Sequence, residues 1–268
     1  MEITDLVGTA VRSGVTWGAD AVRRLRARSG FDGPRPCHVL VLDVDDTLID
    51  TAAAMRTAAR AGALEVWPQS SAADRERFGE HFSGDPEGIF ARYTAGELRF
   101  HEMRKARIAT AASDVGLVWE SRRYRRFCSG YDPAFAAAQR LYPDAMAAVQ
   151  AAERWGITVV LLTNSSNSAT RMKLQVLGVS ERFEHVVTTD TLGFGKPDPR
   201  IFEHACALAG AAPADCIAVG DNYANDVAAA RDAGLRGLWL DRSGRGIGGE
   251  PPSIRALSEL PAALSRAV

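Results

Sequence analysis

Residues 38–50 read HVLVLDVDDTLID, and this stretch decides the fold. A short apolar run, residues 39–42, is followed at once by Asp43 and Asp45. A continuous apolar run bounded by polar residues predicts a strand that is buried on both faces of a parallel sheet. Reactive groups in open parallel sheets lie just beyond the carboxyl ends of the strands. Two carboxylates at such an end repel each other unless a cation or a proton compensates them, and Mg²⁺ is the natural candidate.

Composition and charge argue against several classes of function. The chain has 268 residues, enough for one large α/β domain with an insertion. Its formal net charge of -1 gives no electrostatic case for nucleic acid or a membrane as a partner. The four cysteines are isolated, so they predict neither a disulfide framework nor a zinc site, and a cytoplasmic location fits. No apolar run approaches the roughly 20 residues that span a bilayer, and we expect no signal peptide.

Residues 1–36 precede the first predicted strand. Apolar residues recur there at three- and four-residue spacing, from Ile3 to Leu25, which predicts an amphipathic helix. We expect its apolar face to pack on this domain or on a second copy of the chain, so a homodimer is among the predictions. A helix lying on a membrane surface is the less favoured alternative.

The region from 51 to 139 is helical in character. An Ala-rich segment covers residues 52–63, and further helices are predicted near 74–82, 96–115 and 121–140. We expect no strand in this region, which predicts a helical insertion between the first strand and the rest of the sheet. Its many arginines predict a solvated face whose stems cover apolar surface, with one or two of them reaching an anionic substrate.

From residue 140 onward, apolar segments typical of strands alternate with helical patterns. Four further strands are predicted, and they read ITVVLL, HVVTTD, CIAVGD and GLWLD. Strands that alternate with helices predict right-handed βαβ units and an α/β fold with a doubly wound parallel sheet. The predicted organisation is a helical extension (1–36), an α/β core (37–50 and 140–268) and a helical insert (51–139).

Polar clusters follow four of the predicted strands. The clusters contain Asp43 and Asp45, Thr163 and Asn164, Lys196, and Asp221 with Asp226. Because the carboxyl ends of parallel strands meet at one edge of a sheet, we expect one common site. This set of carboxylates, hydroxyl, backbone amides and lysine suits phosphoryl transfer through an aspartyl-phosphate, with Mg²⁺ neutralising the transferred group. Taken singly, each residue also has an ordinary role as a helix cap, a solvated loop residue or a dipole partner.

The segments DVDDT, LLTNSS, GFGKPDP and GDNYANDV, in that order, resemble the four motifs of the haloacid dehalogenase (HAD) superfamily. The resemblance covers roughly residues 39–241. Four motifs in order at plausible spacing are far more specific than any one of them. The resemblance implies a Rossmann-like core with a helical-bundle cap, Mg²⁺ as cofactor and a small phosphorylated metabolite as substrate.

The resemblance also implies catalytic roles. Asp43 would attack phosphorus and become phosphorylated, while Asp45 would protonate the leaving oxygen and later deprotonate the attacking water. Thr163 would hold a phosphate oxygen through its hydroxyl, and Asn164 through its backbone amide. Lys196 would lie beside Asp43 and the phosphate and damp their negative charge.

The same resemblance implies a set of metal ligands. Mg²⁺ would be bound by Asp43, by the backbone carbonyl of Asp45 and by Asp221. Asp226 would contribute through a water molecule, or would hold Lys196 instead. We interpret the neighbouring Asp46 as a turn residue.

Position 45 separates the branches of the superfamily that the sequence resembles. The dehalogenating and phosphonate-cleaving branches lack an aspartate two residues after the nucleophile, so Asp45 favours hydrolysis of phosphate esters. The insertion between the first two motifs is typical of the C1 class of caps, which close over the site and exclude water.

Two other functions stay open at this point. A sugar phosphomutase of the β-phosphoglucomutase type uses the same core, but it usually carries a histidine where this chain has Met55. A non-catalytic binding protein on the same scaffold is the remaining alternative, although every catalytic position is intact. The predicted substrates range over sugar phosphates, nucleotides, FMN-like compounds and phosphorylated biosynthetic intermediates.

Overall fold

The computed structural model describes residues 37–244, 246 and 252–266. The helix predicted within residues 1–36 lies outside the described residues. The described chain forms a parallel sheet with helices on both faces, and further helices are inserted after the first strand. None of the described helices is long and apolar enough to cross a bilayer.

The sheet has six strands in the described part of the chain, all of them parallel. They are β1 (Val39–Leu42), β2 (Thr158–Leu162), β3 (His185–Val187), β4 (Cys216–Gly220), β5 (Arg236–Leu240) and β6 (Ser253–Ile254). Their spatial order is β3-β2-β1-β4-β5-β6. The fully buried β1 lies between β2 and β4, with Leu42 opposite Leu161 on one side and Val219 on the other. The carboxyl ends of these three strands therefore lie next to one another.

Besides a 3-10 turn at Ser121–Arg123, five α-helices form the insert. They are α1 (Thr51–Val66), α2 (Ala72–Gly84), α3 (Ile89–Thr94), α4 (Phe100–Asp114) and α5 (Tyr124–Ala137). Helices α1 and α5 lie so close together that a Cβ on Gly130 would stand 2.7 Å from the Ala61 carbonyl oxygen. Aromatic rings fill the middle of the insert, and the rings of Phe82 and Phe127 are 5.9 Å apart.

Among the described residues, six α-helices accompany the sheet. They are α6 (Ala145–Arg154), α7 (Asn167–Val176), α8 (Thr189–Leu192), α9 (Pro199–Leu208), α10 (Ala229–Asp232) and α11 (Leu260–Arg266), with a π-helical turn, Tyr223–Ala228, before α10. Alternate residues of β1 face opposite sides: Leu40 packs in the cluster that contains α6 and α11, and Val41 in the cluster that contains α9. The sheet is therefore covered on both faces, as a doubly wound fold requires.

The structure differs from the sequence predictions in several places, one of them the helix α3, which was not predicted. Strand β3 ends at Val187 and not near Asp190, because the Thr188 hydroxyl accepts a hydrogen bond from the Asp190 amide and caps α8. Strand β6 was not predicted, since two residues are too short for a periodic pattern. In the insert, Arg107 is buried and donates to the carbonyl oxygen of Phe82, so it is not part of a solvated face.

The two connections between insert and core run side by side. The amide of Asp50 donates to the Arg140 carbonyl oxygen at 3.0 Å, and the amide of Tyr142 donates to the Leu48 carbonyl oxygen at 2.9 Å. Asp50 also caps α1 by accepting from the Ala53 amide. The insert thus leaves and rejoins the core at one place, directly after the loop that carries Asp43 and Asp45.

Candidate active site

The ends of β1, β2 and β4 bring the predicted residues of the first, second and fourth motifs together. The amide of Asp43 donates to the Val219 carbonyl oxygen on β4, so Asp43 continues the pairing of the strands. Thr163 follows β2 in the same way, with its amide bonded to the Val187 carbonyl oxygen on β3. Asp221 follows β4 directly. One edge of the sheet therefore carries these side chains because the neighbouring strands end at the same level.

Lys196 reaches this edge from the loop between α8 and α9. Its ammonium donates to Asp43 at 2.6 Å and to Asp226 at 2.5 Å, and all three side chains are buried. The side chain of Asn164 holds the loop in place, because it accepts from the Lys196 amide and donates to the Lys196 carbonyl oxygen, both at 2.8 Å. Gly195 is required beside it, since a Cβ there would lie 2.3 Å from Asn164 Oδ1.

Three carboxylates converge on one small volume. Asp43, Asp221 and Asp226 each offer an oxygen, and these oxygens lie within 4.8 Å of one another. Burial raises the pKa of Asp43 above its ordinary value, and burial together with the Asp43 and Asp226 carboxylates raises the pKa of Asp221 to about 8. Lys196 is the cation that faces this group. Oxygen ligands with uncompensated negative charge are what Mg²⁺ prefers, so the donor set fits this ion.

The loop between β1 and α1 is hydrogen-bonded to a residue of the same carboxylate cluster. The Thr47 hydroxyl accepts from the Asp221 amide at 3.1 Å, and the Thr47 carbonyl oxygen accepts from Arg242 at 2.9 Å. Arg242 in turn is paired with Asp144 at 3.0 Å. Arg242 and Asp144 therefore support the carboxylate cluster without touching it.

Asp45 has a separate set of partners. One carboxylate oxygen accepts from the Thr51 hydroxyl at 2.6 Å and from the Lys173 ammonium, and the other accepts from Ser165 Oγ at 2.8 Å and Thr163 Oγ1 at 3.2 Å. Burial alone would raise the pKa of Asp45, but the Lys173 ammonium and these hydroxyls lower it to about 2. Its carboxylate does not belong to the group formed by Asp43, Asp221 and Asp226.

The predicted and the observed sites overlap without being identical. Asp226 lies directly on Lys196, which is the second of the two roles considered for it. The Asn164 side chain is used to hold Lys196, which leaves its backbone amide for the predicted role. Asp46 adopts a left-handed backbone conformation, with φ of 59°, and accepts from the Ala52 amide, as expected of a turn residue.

Lys173, Ser165 and Thr51 were missed by the sequence analysis. Ser165 and Thr51 stand within or next to the quoted motifs, so their hydroxyls were visible there. Lys173 lies on α7, outside every motif. The composition offered a signal for Lys173, because only three of the 32 basic residues are lysine, namely Lys105, Lys173 and Lys196.

The model of a family described as haloacid dehalogenase-like hydrolase matches residues 37–234. The match includes β1 to β4, the insert and every predicted site residue.

Two curated relatives are phosphatases. Over 102 residues, which are 38% of this chain and 41% of the relative, the sequence is 43% identical to a phosphoserine phosphatase of Thermus thermophilus. Over 218 residues, which are 78% of this chain and 84% of the relative, it is 27% identical to an N-acylneuraminate-9-phosphatase of Mus musculus. The chain thus spans less than half of the first relative and most of the second.

A solved structure shares the fold. The HAD-hydrolase YfnB of Bacillus subtilis, bound to magnesium, superimposes with a TM-score of 0.71 at 18% sequence identity. The superposition covers 86% of this chain and 100% of that protein. At this identity the likeness establishes the fold, with a parallel sheet and flanking helices.

Proposed function

The chain belongs to the haloacid dehalogenase-like hydrolase family, and on that premise we propose that it is a Mg²⁺-dependent phosphatase of small phosphomonoesters. The observation that carries the proposal is the division of labour between the two carboxylates that follow β1. Asp43 is buried against Lys196, whereas Asp45 is held by other partners and keeps 27% of its side chain exposed. This difference supports Asp43 as the proposed nucleophile, and Asp45 as the proposed group that meets the leaving group and the water molecule.

The proposed reaction has two halves that use both carboxylates. In the first half, Asp43 attacks phosphorus, the bond from phosphorus to the ester oxygen breaks, and that oxygen takes a proton from Asp45. In the second half, water attacks the phosphorus of the aspartyl-phosphate, Asp45 takes a proton from the water, and the Asp43 carboxylate is released. The net result is one alcohol and one inorganic phosphate for each water consumed.

Asp45 must be protonated for the first half-reaction, although its pKa in the protein without substrate is low. A phosphate dianion beside Asp45 raises this pKa, because like charges disfavour the ionised form. Substrate binding therefore moves Asp45 toward the protonated acid, and loss of the leaving group returns it to the role of base.

The other residues bind and orient the phosphate. Thr163 would bind a phosphate oxygen through its hydroxyl, and Asn164 through its backbone amide. Lys196 would offset negative charge on Asp43 and on the transferred group. Asp43, Asp221 and the Asp45 carbonyl oxygen would hold Mg²⁺, and Asp226, which pairs with Lys196, would reach the ion only through a water molecule. The ion would supply positive charge that stabilises the transferred group.

Asp45 also favours phosphate esters over organohalides, since dehalogenation needs no proton for a halide leaving group. The helices α1 to α5 between the first two motifs support assignment of the insert as a C1-type cap, with residues 1–36 as an extension. Met55 packs partly buried against the apolar core of the insert, which counts against the phosphomutase alternative.

The test is a panel of phosphate esters incubated with purified protein, with phosphate release measured in Mg²⁺ and in EDTA. The panel includes sugar phosphates, nucleotides, FMN, phosphoserine and N-acylneuraminate 9-phosphate, the last two because of the names of the relatives. We expect release that requires Mg²⁺ and no bisphosphate primer. Dependence on a bisphosphate primer would identify a mutase, and no release from any ester would contradict the proposal.

Asp45→Asn tests the mechanism itself. Para-nitrophenolate leaves without a proton, so the first half-reaction should survive in this variant while the second becomes slow. We expect a burst of about one nitrophenolate per active site, followed by slow turnover. Wild-type turnover of alkyl phosphates by the variant would remove Asp45 from the mechanism.

A further inference from the structure

Lysine is rare in this chain, and its placement is selective. Of 32 basic residues only Lys105, Lys173 and Lys196 are lysine. Two of the three are buried beside the carboxylates that follow β1, with Lys173 3% exposed and Lys196 5% exposed. Lysine offers a compact ammonium that fits a small buried space, whereas arginine needs room for a planar fork.

The two buried lysines serve different carboxylates. Lys196 is paired with Asp43 and Asp226, and Lys173 is paired with Asp45. In the described part of the chain, Asp45 is the one carboxylate that forms an ion pair with Lys173. Lys173 also donates to Ser165 Oγ at 3.2 Å, and its ammonium lies 5.9 Å from the ring centre of Phe135 on α5.

The position of Lys173 matters because the Asp45 side chain has two possible orientations. Asp43, Asp221 and Asp226 form a group of carboxylates from which the Asp45 side chain is absent. A rotation of Asp45 toward this group would add another oxygen ligand for a cation and remove the acid from the leaving oxygen. Lys173 lies on α7, on the side of Thr163 and Ser165, and attracts the Asp45 carboxylate to that side.

We propose that Lys173 is a positioning residue, which holds the Asp45 carboxylate apart from the other three carboxylates and beside the phosphate-binding residues. The proposal rests on the phosphatase function proposed above. Lys173 makes no bond to substrate in this scheme, and it acts through Asp45 alone. Removing one partner of a buried ion pair destabilises a folded protein, but replacing both partners by apolar residues of similar size often leaves its stability unchanged. The stability of the fold alone therefore does not explain why this pair is present.

A double-mutant cycle tests this dependence, with Lys173→Met, Asp45→Asn and the double variant assayed on para-nitrophenyl phosphate in Mg²⁺. Lys173→Met should lower kcat by about 10- to 100-fold, with a burst like that of Asp45→Asn. In the Asp45→Asn background, the same change should alter kcat by less than about twofold, since its target is gone.

Inhibition by inorganic phosphate separates positioning from direct binding of the phosphate. The inhibition constant should stay within about twofold of the wild-type value in Lys173→Met. A matched control is Lys105→Met, which removes an ammonium placed 5.2 Å from the Tyr124 ring in the insert. This control should leave kcat unchanged.

Three results would overturn the proposal: additive losses in the cycle, a large rise in the phosphate inhibition constant, or equal activity of Lys173→Met and wild type. If Lys173→Met fails to fold, judged by its melting curve, Lys173→Gln carries the same cycle with a polar replacement. Wild-type protein that hydrolyses no phosphate ester overturns the phosphatase function and this inference together. Active wild type with an additive cycle overturns this inference alone.

Discussion

At the candidate active site, ion pairs are largely buried and join distant parts of the chain, whereas most ion pairs of the insert are exposed and several join near neighbours. Lys196 meets Asp43 across 153 residues of sequence, with both side chains less than a tenth exposed. In the insert, Arg92 pairs with Glu97 five residues away, and both side chains are more than half exposed. Buried charges need compensation to exist at all, while an exposed pair contributes only about 0.2–1 kcal/mol.

We expect the site residues to carry the reaction and the insert to select the substrate. At the candidate site Asp43 and Asp226 pair with Lys196, and Asp45 pairs with Lys173, so we expect a change of any one of them to alter the reaction. Aromatic and alanine side chains pack the interior of the insert. We expect its charged side chains to affect the choice of substrate. Changes in the core should therefore affect kcat, and changes in the insert should affect stability or KM.

The largest effect is expected for Asp43→Asn. Loss of the nucleophile should lower kcat by at least about 1,000-fold on every ester. The fold should be retained, because burial already disfavours the charged form of Asp43. The control in the insert is Asp132→Asn, which neutralises a carboxylate that is 59% exposed and should leave kcat unchanged. More than a few per cent of wild-type activity in Asp43→Asn would refute the nucleophile assignment.

Removal of the metal ion should affect activity and stability together. The pKa of Asp221 is raised from 3.8 to about 8, so without metal the folded state should lose stability as pH rises between these values. The proposed binding of Mg²⁺ to the ionised carboxylates should raise the melting temperature at pH 8 by mass action. This rise should be absent in Asp221→Asn. A wild-type melting temperature that does not change on addition of Mg²⁺ would contradict the assignment of the three carboxylates as a metal site.

A helix contact in the insert gives the next effect. Gly130→Ala would place a Cβ 2.7 Å from the Ala61 carbonyl oxygen and push α1 away from α5. We expect a loss of about 1–3 kcal/mol in the free energy of unfolding, measured in urea. Gly84→Ala is the matched control, since a Cβ there meets nothing within 4 Å. Equal stability of the two variants would show that the helix contact is not tight.

The smallest effect concerns substrate binding by the insert. The Arg104 guanidinium lies 4.8 Å from the ring centres of both Phe100 and Tyr131, and only 17% of its side chain is exposed. Arg104→Ala should raise KM for an anionic substrate a few-fold, with a smaller change of kcat on para-nitrophenyl phosphate. Arg92→Ala, at an exposed pair, should change neither parameter. Equal changes of both parameters on both substrates would argue against a role of the insert in selectivity.

The sequence predicted the parallel sheet and the positions that follow its strands because these depend on local patterns. Apolar runs define β1, β2, β4 and β5, and polar residues mark where each run ends. The hydrolase family and the phosphatase relatives agree with the function predicted from those positions. The end of β3 and the short β6 were missed, since a side-chain cap and a two-residue pairing leave no periodic signal.

By itself, the order of the motifs determined which side chains stand at one edge of the sheet, including Asp43, Asp45, Lys196 and Asp221. Only the tertiary structure decided which basic side chain pairs with which carboxylate. Lys173 belongs to a helix and lies 128 residues from Asp45, and Arg107 is buried where a solvated arginine was expected. Local sequence fixes the period and the end of each element, but pairing of buried charges depends on which surfaces meet once the elements have packed.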